Sequence, residues 1–445
     1  MSDLSGYETG VAYSSQFKAE TMPGHIVGAL AFQGWAAPDI TKPFRYLDLG
    51  CGDGLVAGLV AASHPHATVE GIDGAKEHID LGLAFAGRPS NLTLTAATFD
   101  QCSKGEADCD FIVAQGVISW IAPHIRDQVF DIAAHGLRPG GVFAVSYNAM
   151  PGWTKRLAMQ HLLQAFRPDD EDDPVEAFDA ALAKVIELAK AGLVPVDKHD
   201  LASLLKLRSL AHPTYFPHEY FAAHWQPLWS STVRRSLAER SLSYVGQAGF
   251  SRLRPELTLR KAHRAAVAEM DAGKADMMTD FFHNTPFRID LFVKEPVARE
   301  TIHDVWLLAK REASDPLIFE SPAGVLKFDN PVSREVFSKL QKGPLRFADL
   351  VEQSRYNGAD IGRATDCLLI SRHIRPCSPP LSDTPALQSI NQAIIDTART
   401  GAPCVRALAG TYGPVAVSTR ELRKIAAGGT IAGLKQKGVT ISDLS

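Results

Sequence analysis

The residues best suited to chemistry form a glycine loop that follows an acid in a short apolar run. The stretch Leu47–Gly54 reads Leu-Asp-Leu-Gly-Cys-Gly-Asp-Gly and precedes a helical pattern. Glycines at such a turn let the backbone approach a ligand that a β-carbon would push away. The helix behind the loop adds free N–H groups and the positive end of its dipole. This pattern predicts a cofactor-binding loop.

A second acid, Asp73, ends the next predicted strand, 19 residues after Gly54. A carboxylate at this place can accept hydrogen bonds from both hydroxyls of a ribose. One fitting ligand is a dinucleotide, with its pyrophosphate on Gly52 and Gly54, which would make the protein an oxidoreductase. The other is a cofactor that carries an amino group and a sulfonium cation. Asp48 favours the second ligand, because a carboxylate facing phosphates would repel them.

The Asp-x-Gly-x-Gly-x-Gly pattern resembles the cofactor motif of class I S-adenosylmethionine-dependent methyltransferases. The resemblance implies S-adenosylmethionine as cofactor and S-adenosylhomocysteine as product. It also implies that Asp100, after the third strand, meets the adenine amino group, and that an aromatic leader residue closes over the cofactor as a lid. The cofactor-binding residues expected on this basis are Tyr13, Asp48, Gly50, Cys51, Gly52, Asp73, Gly74, Asp100, Gln115, Gly116 and Val117.

Two further stretches indicate a smaller group within these methyltransferases. Ser146–Trp153 reads Ser-Tyr-Asn-Ala-Met-Pro-Gly-Trp, and a later segment begins His-Glu-Tyr-Phe at His218. With Gln-Gly-Val-Ile-Ser-Trp after the fourth strand, they are similar to bacterial methyltransferases that carry a methyltransferase regulatory domain. The best understood members are rickettsial protein lysine methyltransferases. Ile118, Phe221 and Ala222 depart from the family pattern at positions where substrate contact is expected, so the acceptor can differ from the rickettsial one.

The resemblance implies a protein lysine side-chain amine as methyl acceptor. Such an amine has a pKa near 10.4 and must lose a proton before it reacts, which a dry aromatic pocket favours. Tyr147 and Asn148, at the end of the fifth strand, are expected to be catalytic, and Trp120 and Trp153 to contact the substrate. The alternatives are a small-molecule O- or N-methyltransferase and a cofactor-binding regulatory module without turnover.

The elements that position these residues alternate between strands and helices. Strands are predicted over 44–49, 67–73, 92–97, 110–114 and 142–147, helices over 55–63, 77–85 and 125–135, and a turn over 137–141. Strands separated by helices pair in parallel through right-handed crossovers. We therefore expect an α/β fold with a doubly wound, mostly parallel Rossmann-like sheet.

The pattern changes after the fifth strand. Helices are predicted over 155–166 and through most of 175–260, then two strands within 317–328 and helices over 332–340, 348–353 and 386–400. We expect three domains: a cofactor-binding methyltransferase domain with an N-terminal lid over 1–154, a helical regulatory or substrate-docking domain over 155–295, and a small α/β domain over 296–445. A winged-helix-like form would fit the last.

Composition excludes several function classes. The chain has 445 residues, with 46 Lys and Arg against 50 Asp and Glu, and this net charge of -4 argues against a nucleic-acid partner. No two cysteines form a C-x-x-C pair, and Ala222 stands where a zinc site starting at His218 would need a second histidine. We therefore expect no metal and interpret His218 and Glu219 as part of a structural cluster. No signal peptide or membrane-length apolar run is found, so a cytoplasmic protein without a membrane partner is expected.

Overall fold

The computed structural model describes residues 17–85, 87–102, 108–194, 196, 198–209, 213–310, 316–321, 323–381, 383–400, 406–429, 434 and 439. The strands are β1 (Arg45–Leu49), β2 (Thr68–Asp73), β3 (Leu92–Ala96), β4 (Cys109–Ala114), β5 (Leu137–Asn148), β6 (Leu242–Gln247), β7 (Phe287–Lys294), β8 (Trp306–Ala309), β9 (Ile318–Ser321), β10 (Gly324–Lys327), β11 (Leu345–Arg346), β12 (Ile374–Cys377), β13 (Ala407–Leu408) and β14 (Val415–Ala416).

The α-helices are α1 (Pro23–Phe32), α2 (Leu55–Ser63), α3 (Lys76–Ala84), α4 (Pro123–Gly136), α5 (Leu157–Ala165), α6 (Pro174–Lys190), α7 (Lys198–Arg208), α8 (Tyr215–Phe221), α9 (Ser230–Ala238), α10 (Pro255–Thr258), α11 (Lys261–Ala268), α12 (Ala272–His283), α13 (Pro331–Lys342), α14 (Phe347–Glu352), α15 (Gly358–Ile370), α16 (Pro385–Thr400) and α17 (Thr419–Ala426). Two short 3-10 helices span Ala19–Thr21 and Thr154–Arg156. Within these ranges no helix is both long and apolar enough to cross a membrane.

One sheet of seven strands, in the order β3-β2-β1-β4-β5-β7-β6, forms the centre of the fold. Strands β1 to β5 pair in parallel, and β7 lies antiparallel between β5 and β6. Parallel neighbours need crossover connections, and α2, α3 and α4 connect β1 to β2, β2 to β3 and β4 to β5. The predicted doubly wound, mostly parallel Rossmann-like sheet is therefore confirmed.

The central strands are buried on both faces, as β4 shows. All six of its residues are buried. Phe111 and Val113 pack in one core with residues of α1 and α2, whereas Ile112 and Ala114 pack in another with residues of α4 and α9. Successive side chains of a strand point to opposite faces, so a shift of one residue changes the face completely.

The predicted turn over 137–141 is wrong, because these residues begin β5. Leu137 already pairs with Cys109, and the register then shifts before Phe111 pairs with Val142. Gly140 has a φ of 77°, a left-handed conformation that glycine adopts without strain. The Pro-Gly-Gly signal thus marks a bulge inside a long strand rather than a break between two elements.

The segment 155–295 supplies β6 and β7 to the central sheet in addition to α5 to α12. The mostly helical pattern over 175–260 gave no sign of β6, which buries only Leu242 and Val245 fully. The same segment therefore both forms a helical layer and completes the catalytic sheet. The division of the chain at residue 154 stays a prediction.

The C-terminal region contains the predicted hairpin of β9 and β10 and an antiparallel sheet in the order β11-β8-β12. It packs directly on α1 and α2. A β-carbon on Gly28 would lie 2.3 Å from the Cβ of Pro376, and His64 Nε2 lies 2.9 Å from Ser378 Oγ. One continuous apolar core joins this region to a face of the central sheet. Its winged-helix-like form stays a prediction.

Candidate active site

A cleft of about 340 Å³ lies at the carboxyl ends of β1, β2, β4 and β5. Open α/β sheets bind their ligands at this edge. The residues predicted for the site that line the cleft are Asp48, Gly50, Cys51, Gly52, Asp73, Gln115, Gly116, Trp120, Asn148 and Trp153. The structure therefore brings together residues from four strand ends that are up to 105 positions apart in the sequence, counted from Asp48 to Trp153.

The glycine loop needs glycine for two separate reasons. Gly50, Gly52 and Gly54 have φ values of 73°, 59° and 68°, which other residues adopt only with strain. A β-carbon on Gly54 would also lie 2.5 Å from Leu94, so this glycine keeps the loop against β3. A β-carbon on Gly52 would meet no atom within 4 Å, because this position faces the open cleft. The loop therefore presents bare backbone to a ligand.

Asp73 holds this loop in place. Its Oδ2 accepts a hydrogen bond from the Gly52 N–H at 2.8 Å, and its Oδ1 accepts one from the Ala75 N–H at 2.8 Å. His78 Nδ1 lies 3.8 Å from the same carboxylate, which raises the pKa of His78. The acid is thus fixed at the end of β2 with its carboxylate on the cleft wall.

Asp48 is a buried acid that lacks a partner of its own. It is 4% exposed, and no hydrogen bond among the described residues involves its carboxylate. Burial, and secondarily the charge of Asp73, raises the pKa of Asp48 to about 7. A buried carboxylate is costly unless a cation or donor meets it. This site is therefore prepared for a positively charged ligand group.

The remaining cofactor-side wall comes from the ends of β4 and β5. The Gly116 N–H donates to Ser146 Oγ at 2.8 Å, and Thr21 Oγ1 donates to Gln115 Oε1 at 3.0 Å. Thr21 and Lys18 also line the cleft from the segment before α1. The predicted lid contact, Tyr13, lies outside the described residues.

Three predicted cofactor contacts do not line the cleft. Asp100 is exposed in the turn after β3 and is not part of the lining, so its expected contact with an adenine amino group stays a prediction. Val117 is buried behind the glycine loop, with Cγ2 2.5 Å from the position of a β-carbon on Gly50. Gly74 follows Asp73 and likewise lies outside the lining. The structure therefore does not bring these three residues into the cleft wall.

The expected catalytic role of Tyr147 is not supported. Its side chain is fully buried, and its hydroxyl donates to Asp290 Oδ2 at 2.6 Å, away from the cleft. Burial also raises the pKa of Tyr147 well above its usual value. Because strand residues alternate, Ser146 and Asn148 face the cleft while Tyr147 faces the opposite core. The structure therefore does not bring Tyr147 into the cleft, and a catalytic role for it stays an untested prediction.

The far end of the cleft is aromatic and contains one more buried acid. Trp120, Trp153 and Phe287 line it, and Trp153 meets Trp225 edge to face at 5.0 Å between ring centroids. Glu219 of α8 also lines it and accepts a hydrogen bond from Asn148 Nδ2 at 2.9 Å. The interpretation of Glu219 as part of a structural cluster stays a prediction, and its carboxyl group in addition borders the cleft.

The cofactor end of the cleft is the part formed by Asp48, the glycine loop and Asp73. Its geometry fits S-adenosylmethionine. Asp48 offers a buried negative charge to the amino group of the methionine moiety, and Asp73 offers a carboxylate at the place where family cofactors put a ribose. Gly52 leaves room for close approach of the ligand. Within the described ranges no group of three or more His, Cys, Asp or Glu residues could hold a metal ion.

Comparison with known families agrees with this geometry. Residues 47–141 match the family described as "Methyltransferase domain". The chain carries a class I S-adenosylmethionine-dependent methyltransferase domain. Residues 212–294 match the family described as "Predicted methyltransferase regulatory domain", which here includes α8, β6, α12 and β7. The resemblance predicted from the sequence is thereby confirmed.

The relatives of this methyltransferase match at low identity and over very different shares of the chain. Uncharacterized protein sll1526 of Synechocystis is 26% identical over 392 residues, which are 85% of this chain and 77% of that protein. Matches to two Rickettsia prowazekii proteins each span 51% of those proteins. The trans-aconitate 2-methyltransferase of Streptomyces avermitilis is 33% identical over 111 residues, which are 24% of this chain and 40% of that enzyme.

The fold of the methyltransferase is similar to that of PKMT2 from Rickettsia typhi, whose structure was solved in complex with AdoHcy. The two share 17% identity and a TM-score of 0.69, over 92% of this chain and 87% of that chain. At this identity the likeness concerns the fold. It extends well beyond the methyltransferase domain and includes the C-terminal region.

Several lining residues were missed in the sequence. They include Lys18 from the segment before α1, Arg156 from the 3-10 helix, Tyr215, His218 and Glu219 from α8, and Phe287 from β7. One signal was available: α8 reads Tyr-Phe-Pro-His-Glu-Tyr-Phe, in which a single acid stands among aromatic residues. Acids are rarely buried without a functional or structural partner, so an acid in such a segment is a candidate site residue.

Proposed function

We propose that this methyltransferase transfers a methyl group from S-adenosylmethionine to a lysine side-chain amine of a protein. The observation that carries the proposal is the continuity of one cleft from Asp48 and Asp73 to an aromatic wall that includes a buried acid, Glu219. The similarity of the whole fold to a rickettsial enzyme whose name, PKMT2, matches this chemistry supports it.

The acceptor end of the cleft is the part lined by Trp120, Asn148, Trp153, Glu219 and Phe287. Its chemistry suits an amine. When bound, the cofactor supplies an already activated methyl group, so the protein needs to position the acceptor and remove water. Trp120 and Trp153 line a surface on which an aliphatic lysine stem can pack. Burial there disfavours the ammonium form and lowers the pKa of the amine toward the neutral, reactive form. Asn148 presents a fixed amide next to this surface.

We also propose a cytoplasmic location. The cysteines in the described part of the chain, Cys51, Cys102, Cys109, Cys367 and Cys377, are free thiols. Unpaired cysteines are typical of reducing compartments.

The balanced charge of the chain supports a protein or small-molecule acceptor over nucleic acid.

The test is labelling of a cell lysate of the source organism by the purified chain with a labelled methyl donor. Acid hydrolysis and amino acid analysis of the protein fraction should yield methylated lysine. An Asp73→Ala variant is the control and should give none. Label in other protein residues, or only in small molecules such as added trans-aconitate, would overturn the lysine proposal. Cofactor binding without transfer to any acceptor would support a regulatory module instead.

A further inference from the structure

Glu219 stands apart from the other acids of the cleft. Asp48 and Asp73 belong to the cofactor end at β1 and β2, whereas Glu219 comes from α8 in the segment that matches the regulatory domain. It is 5% exposed yet lines the cleft. We therefore expect this carboxyl group to face a ligand that enters the cleft from the side of α8.

The position of Glu219 is fixed by Asn148. Asn148 Nδ2 donates to Glu219 Oε1, while the Asn148 N–H donates to Ser119 Oγ at 3.0 Å and its C=O accepts from the Leu228 N–H at 2.8 Å. Asn148 is thus held at three points. The carboxyl group therefore has a defined orientation relative to the end of β5.

The titratable groups near Glu219 in the described structure come from the 3-10 helix Thr154–Arg156, from α7 and from α8. Arg156, from the 3-10 helix, also lines the cleft, and its guanidinium is paired with Asp200 of α7, with Nε 3.2 Å from Oδ1. His218 and Tyr220 flank Glu219 on its own helix. Burial raises the pKa of Glu219 to about 7, opposed by the hydrogen bond from Asn148, by Trp225 and by the charge of Arg156. An approaching ammonium group would stabilise its ionised form.

We propose that Glu219 receives the ammonium group of the methyl acceptor and takes its proton, and that it thereby selects a primary amine over a neutral or anionic acceptor. This inference rests on the proposed lysine methylation. One N–H bond of the ammonium breaks as an O–H bond forms on Glu219. The nitrogen lone pair then forms the bond to the methyl carbon, and the electrons of the carbon–sulfur bond leave with S-adenosylhomocysteine. The methylated ammonium departs, and Glu219 releases its proton to solvent.

The surroundings favour this step over a simple ion pair. In a dry aromatic site two neutral groups cost less than two charges, so proton transfer from the ammonium to the carboxylate becomes favourable. Trp120 and Trp153 would surround the stem of the amine and exclude water. Glu219 would then act as a catalytic residue that also determines specificity.

Binding of small probes tests the inference without turnover. The full chain, saturated with S-adenosylhomocysteine, is titrated calorimetrically at pH 8 with n-butylamine, n-butanol and butyrate. We expect n-butylamine to bind, and to bind about 10- to 100-fold more weakly in a Glu219→Gln variant, because glutamine offers no carboxylate to receive the ammonium group and its proton. Glutamine keeps the size of the side chain and can still accept the hydrogen bond from Asn148. The matched control, Glu187→Gln, removes an exposed acid on α6 and should change nothing.

Two further measurements guard against a misfolded variant. Unchanged affinity for S-adenosylhomocysteine shows that Glu219→Gln is folded. In the wild-type chain, n-butylamine is cationic at both pH 8 and pH 6, so its affinity should fall about tenfold between them as Glu219 becomes protonated. Equal n-butylamine affinity in the wild type and in Glu219→Gln, or no fall toward pH 6, would overturn the inference. Lysine labelling in the lysate would still stand, so the two proposals fail separately.

Discussion

The two ends of the cleft each contain a buried acid whose pKa is raised to about 7, yet the two acids are built differently. Asp48 lies in β1, directly before the loop that it serves, and no described residue hydrogen-bonds its carboxylate. Glu219 lies in a different segment and is held by Asn148, 71 residues away in the sequence. Local chain geometry makes the first site, whereas tertiary packing makes the second.

This difference explains how the two ends can vary. At the cofactor end, Asp48, the glycine loop and Asp73 lie in one contiguous β-α-β unit, and the ends of β4 and β5 complete the wall. The acceptor end needs α8 and the 3-10 helix Thr154–Arg156 to meet the end of β5. Changes in the helical segment can therefore alter acceptor choice while the cofactor site is kept. The predictions below separate the two ends.

The largest effect is expected from Asp73→Ala. The change removes the carboxylate that orders Gly52 and Ala75 and that would meet the ribose. Loss of two charge-assisted hydrogen bonds weakens binding by about 3 kcal/mol or more, which is at least about 100-fold in Kd for S-adenosylmethionine. Calorimetry measures this directly. Asp80→Ala, which removes an exposed acid paired with Lys76 on α3, is the control and should keep full affinity.

Asp48→Asn should weaken cofactor binding by about 10- to 100-fold at pH 8, because the buried charge that meets the amino group is lost. In the unliganded protein the same substitution should instead raise the free energy of unfolding at pH 8. The folded-state pKa of Asp48, about 7, lies above its unfolded value, so its contribution to stability is complete below about pH 4 and is lost as the pH rises to 7.

The Asp48→Asn variant has no carboxyl group at this position, so its stability does not fall in this way as the pH rises. Its free energy of unfolding should exceed that of the wild type at pH 8 by up to about 4 kcal/mol, since three pKa units at about 1.4 kcal/mol each are involved. Near pH 4 the two proteins should have similar stability. Urea denaturation at both pH values measures this. A stability difference of the same size at pH 4 and pH 8 would contradict the titration of Asp48.

Two neighbouring residues of β5 provide a sharper comparison of site and scaffold. Asn148→Ala should lower kcat/KM for the acceptor by about tenfold, because Glu219 loses its partner. Tyr147→Phe should leave kcat/KM within about twofold and lower stability by about 1–2 kcal/mol, because Asp290 loses a donor. Cofactor affinity should stay unchanged in both. A large loss of activity in Tyr147→Phe would restore its catalytic assignment.

The cofactor end could be predicted from the sequence because its parts are close together along the chain. The spacing of Asp48, Gly50 and Gly52, with an acid at the end of the next strand, encodes the geometry of one β-α-β unit. Asp100, by contrast, comes after β3 and outside this unit, and the structure does not bring it into the lining of the cleft. Short-range patterns predict position only within such a unit.

The acceptor end could be predicted only in part. Val-Phe-Ala-Val-Ser-Tyr in β5 is mostly apolar on both faces. Because polar and apolar residues do not alternate along it, the sequence did not indicate whether Tyr147 or Asn148 faces the cleft. Glu219 was visible as an acid among aromatic residues, but its contact with Asn148 depends on long-range packing. The polar contacts of Tyr147 depend likewise on Asp290 in β7, 143 residues away. Pairings over such distances leave no local signature.

The smallest effect is expected from Trp120→Leu, at the aromatic wall. Leucine keeps an apolar surface but loses the flat ring against which an acceptor stem would lie, so we expect KM for the acceptor to rise a few-fold, equivalent to about 1 kcal/mol, with kcat nearly unchanged. Trp229→Leu is the matched control, because Trp229 stacks on Phe281 and does not line the cleft. Steady-state kinetics on a lysine acceptor separates the two constants. A fall in kcat with an unchanged KM would place Trp120 against the reacting atoms themselves and extend the acceptor end toward the cofactor.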